Sequence, residues 1–243
     1  MKANKDKVFS TIIAVTVVAI IVFLATRGGD GGDVLRIVST NDLAGLLVNQ
    51  AAGATDDVQG IRLADCCGTQ AEMALEAGVF DIAVICPDAA ELFLQGGNRP
   101  FVLWGSIVEN SSVLVSITYN VPSSVGYTFG RSSQHQIAQA NLGQDVAFVP
   151  MNTLALPYAL ARGAVDAVVL DVLTATNAVE DAGLIIRPLP YNRPSSVLLV
   201  HQDVVYTQQF ADFIENFNQL IQGEELAKWK EFYVNFPSLP RVR

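Results

Sequence analysis

Three cysteines, Cys66, Cys67 and Cys86, are the only thiols in 243 residues, and all fall within "LADCCGTQAEMALEAGVFDIAVICPD" at 63–88. Two are adjacent, and an odd number cannot pair fully within one chain. Thiolates are soft ligands that select soft metals, and the thiolate is the form that coordinates or attacks. Cys67 lies just before the helical pattern "TQAEMALEAG", where a helix N-terminus lowers a thiol's pKa. Cys66, Cys67 and Cys86 therefore read as a soft-metal set. The vicinal pair can also close into an eight-membered disulfide ring in an oxidising space. The plainer reading is that a buried cysteine is a small hydrophobe, and Cys86, ending the apolar run "FDIAVIC", suits it.

Softer candidates lie elsewhere. "GRSSQHQ" (130–136) offers Ser132 or Ser133 as a helix N-cap. The same helix start, with Arg131 beside it, is a ready anion site. In "STNDLAG" (39–45), Thr40 and Asn41 follow a strand and line whatever lies beyond its end, while Asn41 or Asp42 caps the next helix. His135 reads as solvent-facing in the first turn of its helix, and His201 as the start of a loop. The sequence holds no Cys-x-x-Cys finger, no phosphate-cradling glycine loop and no nucleophile elbow.

The elements that must position these residues alternate. "VLRIVST", "GIRLADC", "FDIAVIC", "QDVAFVP" and "VDAVVLD" read as strands. "NDLAGLLVNQAAG", "TQAEMALEAG" and "NTLALPYALARG" read as helices between them. Such alternation predicts parallel sheets with crossover helices. "FADFIENFNQLI" puts Phe210, Phe213, Ile214, Phe217 and Ile221 on one helical face.

An internal echo suggests two similar halves. "MALEAGVFDIAVIC" (73–86) aligns without a gap to "YALARGAVDAVVLD" (158–171), matching Gly78 to Gly163 and Asp81 to Asp166. The glycines suit the left-handed residue after a helix. Extended backwards, the echo sets Met151 opposite Cys66, Asn152 opposite Cys67 and Asp171 opposite Cys86. Ligands of open α/β sheets bind beyond the carboxyl ends of the strands, where all six residues fall. Met151, Asn152 and Asp171 would then approach the thiols from the other half.

The N-terminus fixes the compartment. "VFSTIIAVTVVAIIVFLA" (8–25) is uncharged and reaches roughly 27 Å as a helix, about a hydrocarbon core. A cleaved signal usually has an apolar region of only about 7–15 residues. Lys2, Lys5 and Lys7 keep residues 1–7 in the cytoplasm, so 8–25 reads as a single-pass anchor, with a removed signal peptide as the alternative, and the remainder as extracytoplasmic either way. The glycine-rich 26–33 is a tether. Lys2, Lys5, Lys7, Arg27 and Asp6 carry +3, so the chain's −9 leaves −12 on the rest. An acidic exported domain without basic clusters argues against nucleic-acid binding.

The chain resembles the two-lobed substrate-binding proteins of ABC transporters, in the branch of sulfonate- and thiamine-precursor-binding proteins. The residues carrying the likeness are "EMALEAGVFDIAVICPDAAELFLQGG", "YTFGRSSQHQIAQANL" and "LPYALARGAVDAVVLD". The resemblance implies an α/β, two-lobed type 2 periplasmic-binding-protein fold. Lobe 1 would be built from 34–117 and 195–243, lobe 2 from 120–193, with a cleft between them. It implies a small solute as ligand, an ABC permease and its ATPase as partners, no cofactor and no catalysis. More narrowly, the vicinal pair Cys66-Cys67 is similar to that of the selenocysteine-assisted organometallic transport system, with cysteine at both positions. That likeness implies a soft metal or organometal as cargo. A thiol-dependent enzyme on the same fold, or a binder of a small organic anion near Ser132, are the alternatives. As an enzyme, the chain would have only Asp65 and Asp171 as acids near the thiols.

Overall fold

The structure is a computed structural model that describes residues 34–63, 74–97, 99–179 and 183–242. The anchor 8–25, the tether 26–33, and Cys66 and Cys67 lie outside the described residues. Among the described residues no helix is long and apolar enough to cross a membrane.

β1 (Leu35–Thr40) runs into α1 (Leu43–Gly53), and β2 (Val58–Leu63) returns parallel to β1. β3 (Ile82–Ile85) lies parallel on the other side of β1 and leads into α2 (Pro87–Gln95). β4 (Phe101–Glu109) then passes to β5 (Ser112–Ser116). The pattern repeats as β6 (Ser124–Thr128), α3 (Ser132–Leu142), β7 (Ala147–Met151), α4 (Leu156–Ala161), β8 (Ala167–Asp171) and α5 (Val172–Val179). β9 (Ile185–Pro188), β10 (Pro194–His201), α6 (Gln208–Leu220) and α7 (Ala227–Lys230) complete it.

The strands form two five-stranded sheets, ordered β2-β1-β3-β10-β4 and β7-β6-β8-β5-β9. The apolar runs of β3, β5 and β8 are buried along their whole length or nearly so, as central strands covered on both faces must be. Both sheets are mixed rather than purely parallel. β10 runs antiparallel to β3 and β4, and β5 runs antiparallel to β8 and β9. These strands are joined across the sheets by short crossings instead of by crossover helices, which frees them from the parallel direction.

The expected first lobe extended through residue 117, but β5 pairs wholly within the second sheet. The first crossing therefore falls at Asn110 and Ser111. Asn110 takes φ +59, a left-handed conformation that asparagine tolerates better than most residues. Its Oδ1 accepts the amides of Tyr191 and Asn192 in the second crossing at 3.2 and 2.8 Å. Ser111 N donates to Ser195 Oγ at 2.9 Å. The two crossings are thus tied side by side.

The echoed segments occupy equivalent places. Gly78 and Gly163 have φ +63 and +67, the left-handed turn that ends a helix. The Asp81 amide donates to Arg36 O, while its carboxylate accepts Arg36 N at 2.8 Å and the Arg36 guanidinium at 2.9–3.0 Å. The Asp166 amide donates to Ser124 O, and its Oδ2 accepts Ser123 N, Ser124 N and the Ser123 hydroxyl at 2.6–3.0 Å. Each aspartate fastens its strand to the start of the neighbouring parallel strand. Those bonds hold the Ser123 hydroxyl and amides against Asp166, keeping its carboxyl below the usual carboxylate range.

One apolar cluster runs through both sheets and includes Ile37, Leu47, Val113, Val168 and Leu198. α6 packs on α1 and buries Phe210, Phe213, Ile214 and Phe217, the face given by its 3.6-residue period, with Ile221 half-buried at its end.

Candidate functional site

The carboxyl ends of the central strands of both sheets converge on one cleft. Asp42, Cys86, Ser111, Ser112, Arg131, Ser133, Gln134, Asp171, Ser195 and Ser196 line it, from both sheets and both crossings. Its free volume is about 10 Å³, room for roughly one water.

On the first-sheet side, Thr40 is buried at the end of β1 and its hydroxyl donates to Asp42 Oδ2 at 2.7 Å. Asp42 caps α1, accepting Gly45 N at 2.9 Å. Gly45 lets α1 sit directly over the strand end, since a Cβ there would lie 1.7 Å from Thr40 O. Asn41 is exposed, so of the two candidate caps Asp42 takes the role. Cys86 is 3 % exposed and occupies the N-cap position of α2. Pro87 follows at the first helical position, where its missing N–H costs nothing.

On the second-sheet side, Arg131 holds the N-cap position of α3, and Ser132 and Ser133 stand one and two residues inside the helix. The expected serine cap is therefore displaced by one or two residues. Both serines turn instead to Asp88 in the first turn of α2. Ser133 N and Ser133 Oγ donate to Asp88 Oδ2 at 3.0 and 2.8 Å, and Ser132 Oγ to Oδ1 at 3.2 Å. The anion place read from "GRSSQHQ" is held by the chain's own carboxylate. Gln134 is buried and fixes the β6–α3 turn by accepting Thr128 N at 3.0 Å.

Asp171, the last residue of β8, accepts Leu43 N at 3.1 Å and Leu173 N at 3.0 Å on Oδ1. Burial, and after it the Asp42 carboxylate, push Asp171 up to about 7, against the pull of Ser111 and the two amides.

The echo's other partners face elsewhere. Met151 is half-buried with its sulfur beside Gly126 and packed against the core, and it is not among the cleft residues. Asn152 is exposed and caps a short 3-10 turn by accepting Leu154 N at 2.9 Å. β7 is the edge strand of its sheet, set apart from the central strands whose ends form the cleft. His135 is not simply solvent-facing: its ring stacks on Tyr127 at 5.1 Å and meets Phe148 edge-on at 4.9 Å. His201 ends β10, with Nδ1 accepting Asp203 N at 3.3 Å. Among the described residues, no three His, Cys, Asp or Glu side chains gather as a metal cage.

Sequence reasoning missed Asp88 and the serine pairs of the crossings. Asp88 looks like an ordinary acid in a helix's first turn, and only the tertiary fold brings it to α3. The serines had a signal: "NSSVLVS" (110–116) and "PSSVLLV" (194–200) place Ser-Ser at the start of an apolar strand twice.

No protein-family model matches the chain, and no curated protein matches it. Many solved structures share its fold. The aliphatic sulphonate binding protein SsuA of Escherichia coli aligns with TM-score 0.60 at 17% identity, covering 86% of this chain and 81% of that one. A nutrient binding protein from Burkholderia cenocepacia bound to methionine aligns with TM-score 0.57 at 15% identity, covering 82% and 97%. The ligand binding component of an ABC-type import system from Staphylococcus aureus, with zinc bound, gives 0.60 at 10%, covering 82% and 76%.

Proposed function

We propose that the chain is an extracytoplasmic solute-binding protein that delivers its ligand to an ABC permease and ATPase. The observation that carries this reading is the cleft itself. Two sheets of like topology, linked by two tied crossings, present strand ends and helix starts to one polar space. A hinged pair of halves can close over a small solute and release it again, a known mode of ligand-coupled motion. The halves would act as lobes divided at Asn110–Ser111 and near residues 190–193, with the anchor 8–25 holding them at the outer face of the membrane.

The cargo we favour is a soft metal or organometal held by the thiolates of Cys66 and Cys67. Their place after β2, and Cys86 at the end of β3 in the cleft lining, support it, as does the preference of sulfur ligands for soft cations. The organic-anion alternative keeps one supporting observation, a carboxylate seated on Ser132 and Ser133, although that carboxylate is Asp88. Native mass spectrometry of the full chain in detergent, against mercuric ion, an organomercurial, methanesulfonate and methionine, tests the reading. Retention of one cargo class at one-to-one stoichiometry supports it; retention of none contradicts it.

A further inference from the structure

Two contacts across the cleft share one design. Asp171 leaves the second sheet at the end of β8 and accepts Leu43 N, the first helical amide of α1. Asp88 leaves the first sheet just beyond β3 and accepts Ser133 N, the second helical amide of α3. α1 follows β1 and α3 follows β6; β3 flanks β1 as β8 flanks β6. By the internal symmetry of the two sheets, each half therefore sends an acid into the same place on the other. The first amides of a helix have no partner within it, and the helix dipole favours a carboxylate there. Both acids meet a donor that would otherwise face the cleft.

We propose that Asp171 and Asp88 form a reciprocal clasp, an autoinhibitory contact in which the chain closes its cleft on its own carboxylates. Solute entry between the two arms then requires the clasp to part, because the pocket they enclose leaves about 10 Å³, room for roughly one water. The two contacts lie on opposite helices joined to different sheets, so opening the halves breaks both together. The clasp behaves as one two-state element rather than two local bonds. The solute reading enters only in this consequence; the clasp itself is tested without any solute.

The amides of Leu43 and Ser133 report on it directly. Hydrogen exchange of the full chain in detergent is measured for the parent, Asp88→Ala, Asp171→Ala and Asp171→Asn. Each alanine removes one arm and should speed exchange at the opposite arm by about tenfold or more, Leu43 in Asp88→Ala and Ser133 in Asp171→Ala. Asp171→Asn keeps an oxygen for Leu43 N and removes the repulsion from Asp42. It should slow both amides. If the alanine variants do not fold, Asp171→Asn and Ser133→Ala carry the test, the latter speeding Leu43 severalfold. Alanines that speed only their own amide, or Asp171→Asn acting like Asp171→Ala, would overturn the clasp. A clasp that fails here leaves solute capture untouched, and a chain that captures no cargo leaves these rates untouched.

Discussion

Asp171 Oδ1 accepts the amide of Leu43 at 3.1 Å, although 128 residues separate them. The same carboxylate lies within the influence of Asp42, which is 9 % exposed and caps the helix that Leu43 begins. An acid is thus pressed by burial and by a second acid while two amides hold its oxygen.

A pH dependence follows from that arrangement. The folded chain holds the Asp171 proton up to about pH 7, whereas an unfolded aspartate releases it near 3.9. The folded state therefore binds the extra proton, so Asp171 costs nothing at low pH and its penalty grows as pH rises from about 4 to about 7. Asp171→Asn should raise the melting temperature by several degrees at pH 8, and the gain should narrow steadily towards pH 5. A gain that widens on acidification would reverse the sign and refute the assignment.

The echoed aspartates are fasteners, and their loss should register in stability. Asp81→Ala removes three bonds from Arg36 to a charged acceptor and should cost about 1.5–3 kcal/mol. Asp166→Ala should likewise lower the melting temperature at neutral pH. Because Asp166 has a lowered pKa when folded, its contribution is present above the ordinary aspartate range and lost as pH falls through the folded value. Urea titrations at pH 7 and pH 3 check both variants.

Much of this was legible in the chain. The helix–glycine–aspartate–strand echo gave the halves, since a left-handed glycine and an Asp three residues later are local requirements, and Gly78 and Gly163 meet them alike. The face of α6 followed from spacing alone. β5 was assigned to the wrong half, because "SVLVS" is buried from end to end and nothing local says which sheet buries it. Asp88 and Asp42 were likewise opaque. A first-turn acid or a cap satisfies its own helix, and its second role across the cleft depends on contacts more than 40 residues away.

Gly45 should tolerate no side chain. An alanine Cβ would meet Thr40 O at 1.7 Å, so Gly45→Ala must displace α1 from the strand end and with it Asp42 and Leu43. The expected outcome is a loss of several kcal/mol, among the largest for a single substitution, read by thermal unfolding. A variant as stable as the parent would contradict the close approach of α1 to β1.

Asn110 pins the two crossings. Asn110→Ala strands the amides of Tyr191 and Asn192 and places a less tolerant residue at φ +59. Asn110→Gly removes the acceptor but relieves the backbone. Alanine should therefore be the more damaging, by roughly 1 kcal/mol. Denaturant midpoints of the two variants decide it, and equal loss would mean the backbone conformation carries no strain.

The most direct measurement is the affinity of the full chain for mercuric ion and for an organomercurial, by native mass spectrometry under reducing conditions, beside a variant with Cys66→Ser and Cys67→Ser. Hydroxyls are hard, poorly ionised ligands. The account predicts a one-to-one complex for the parent and at least about a hundredfold weaker retention by the double variant, with unchanged thermal stability. Equal retention by both proteins would contradict it.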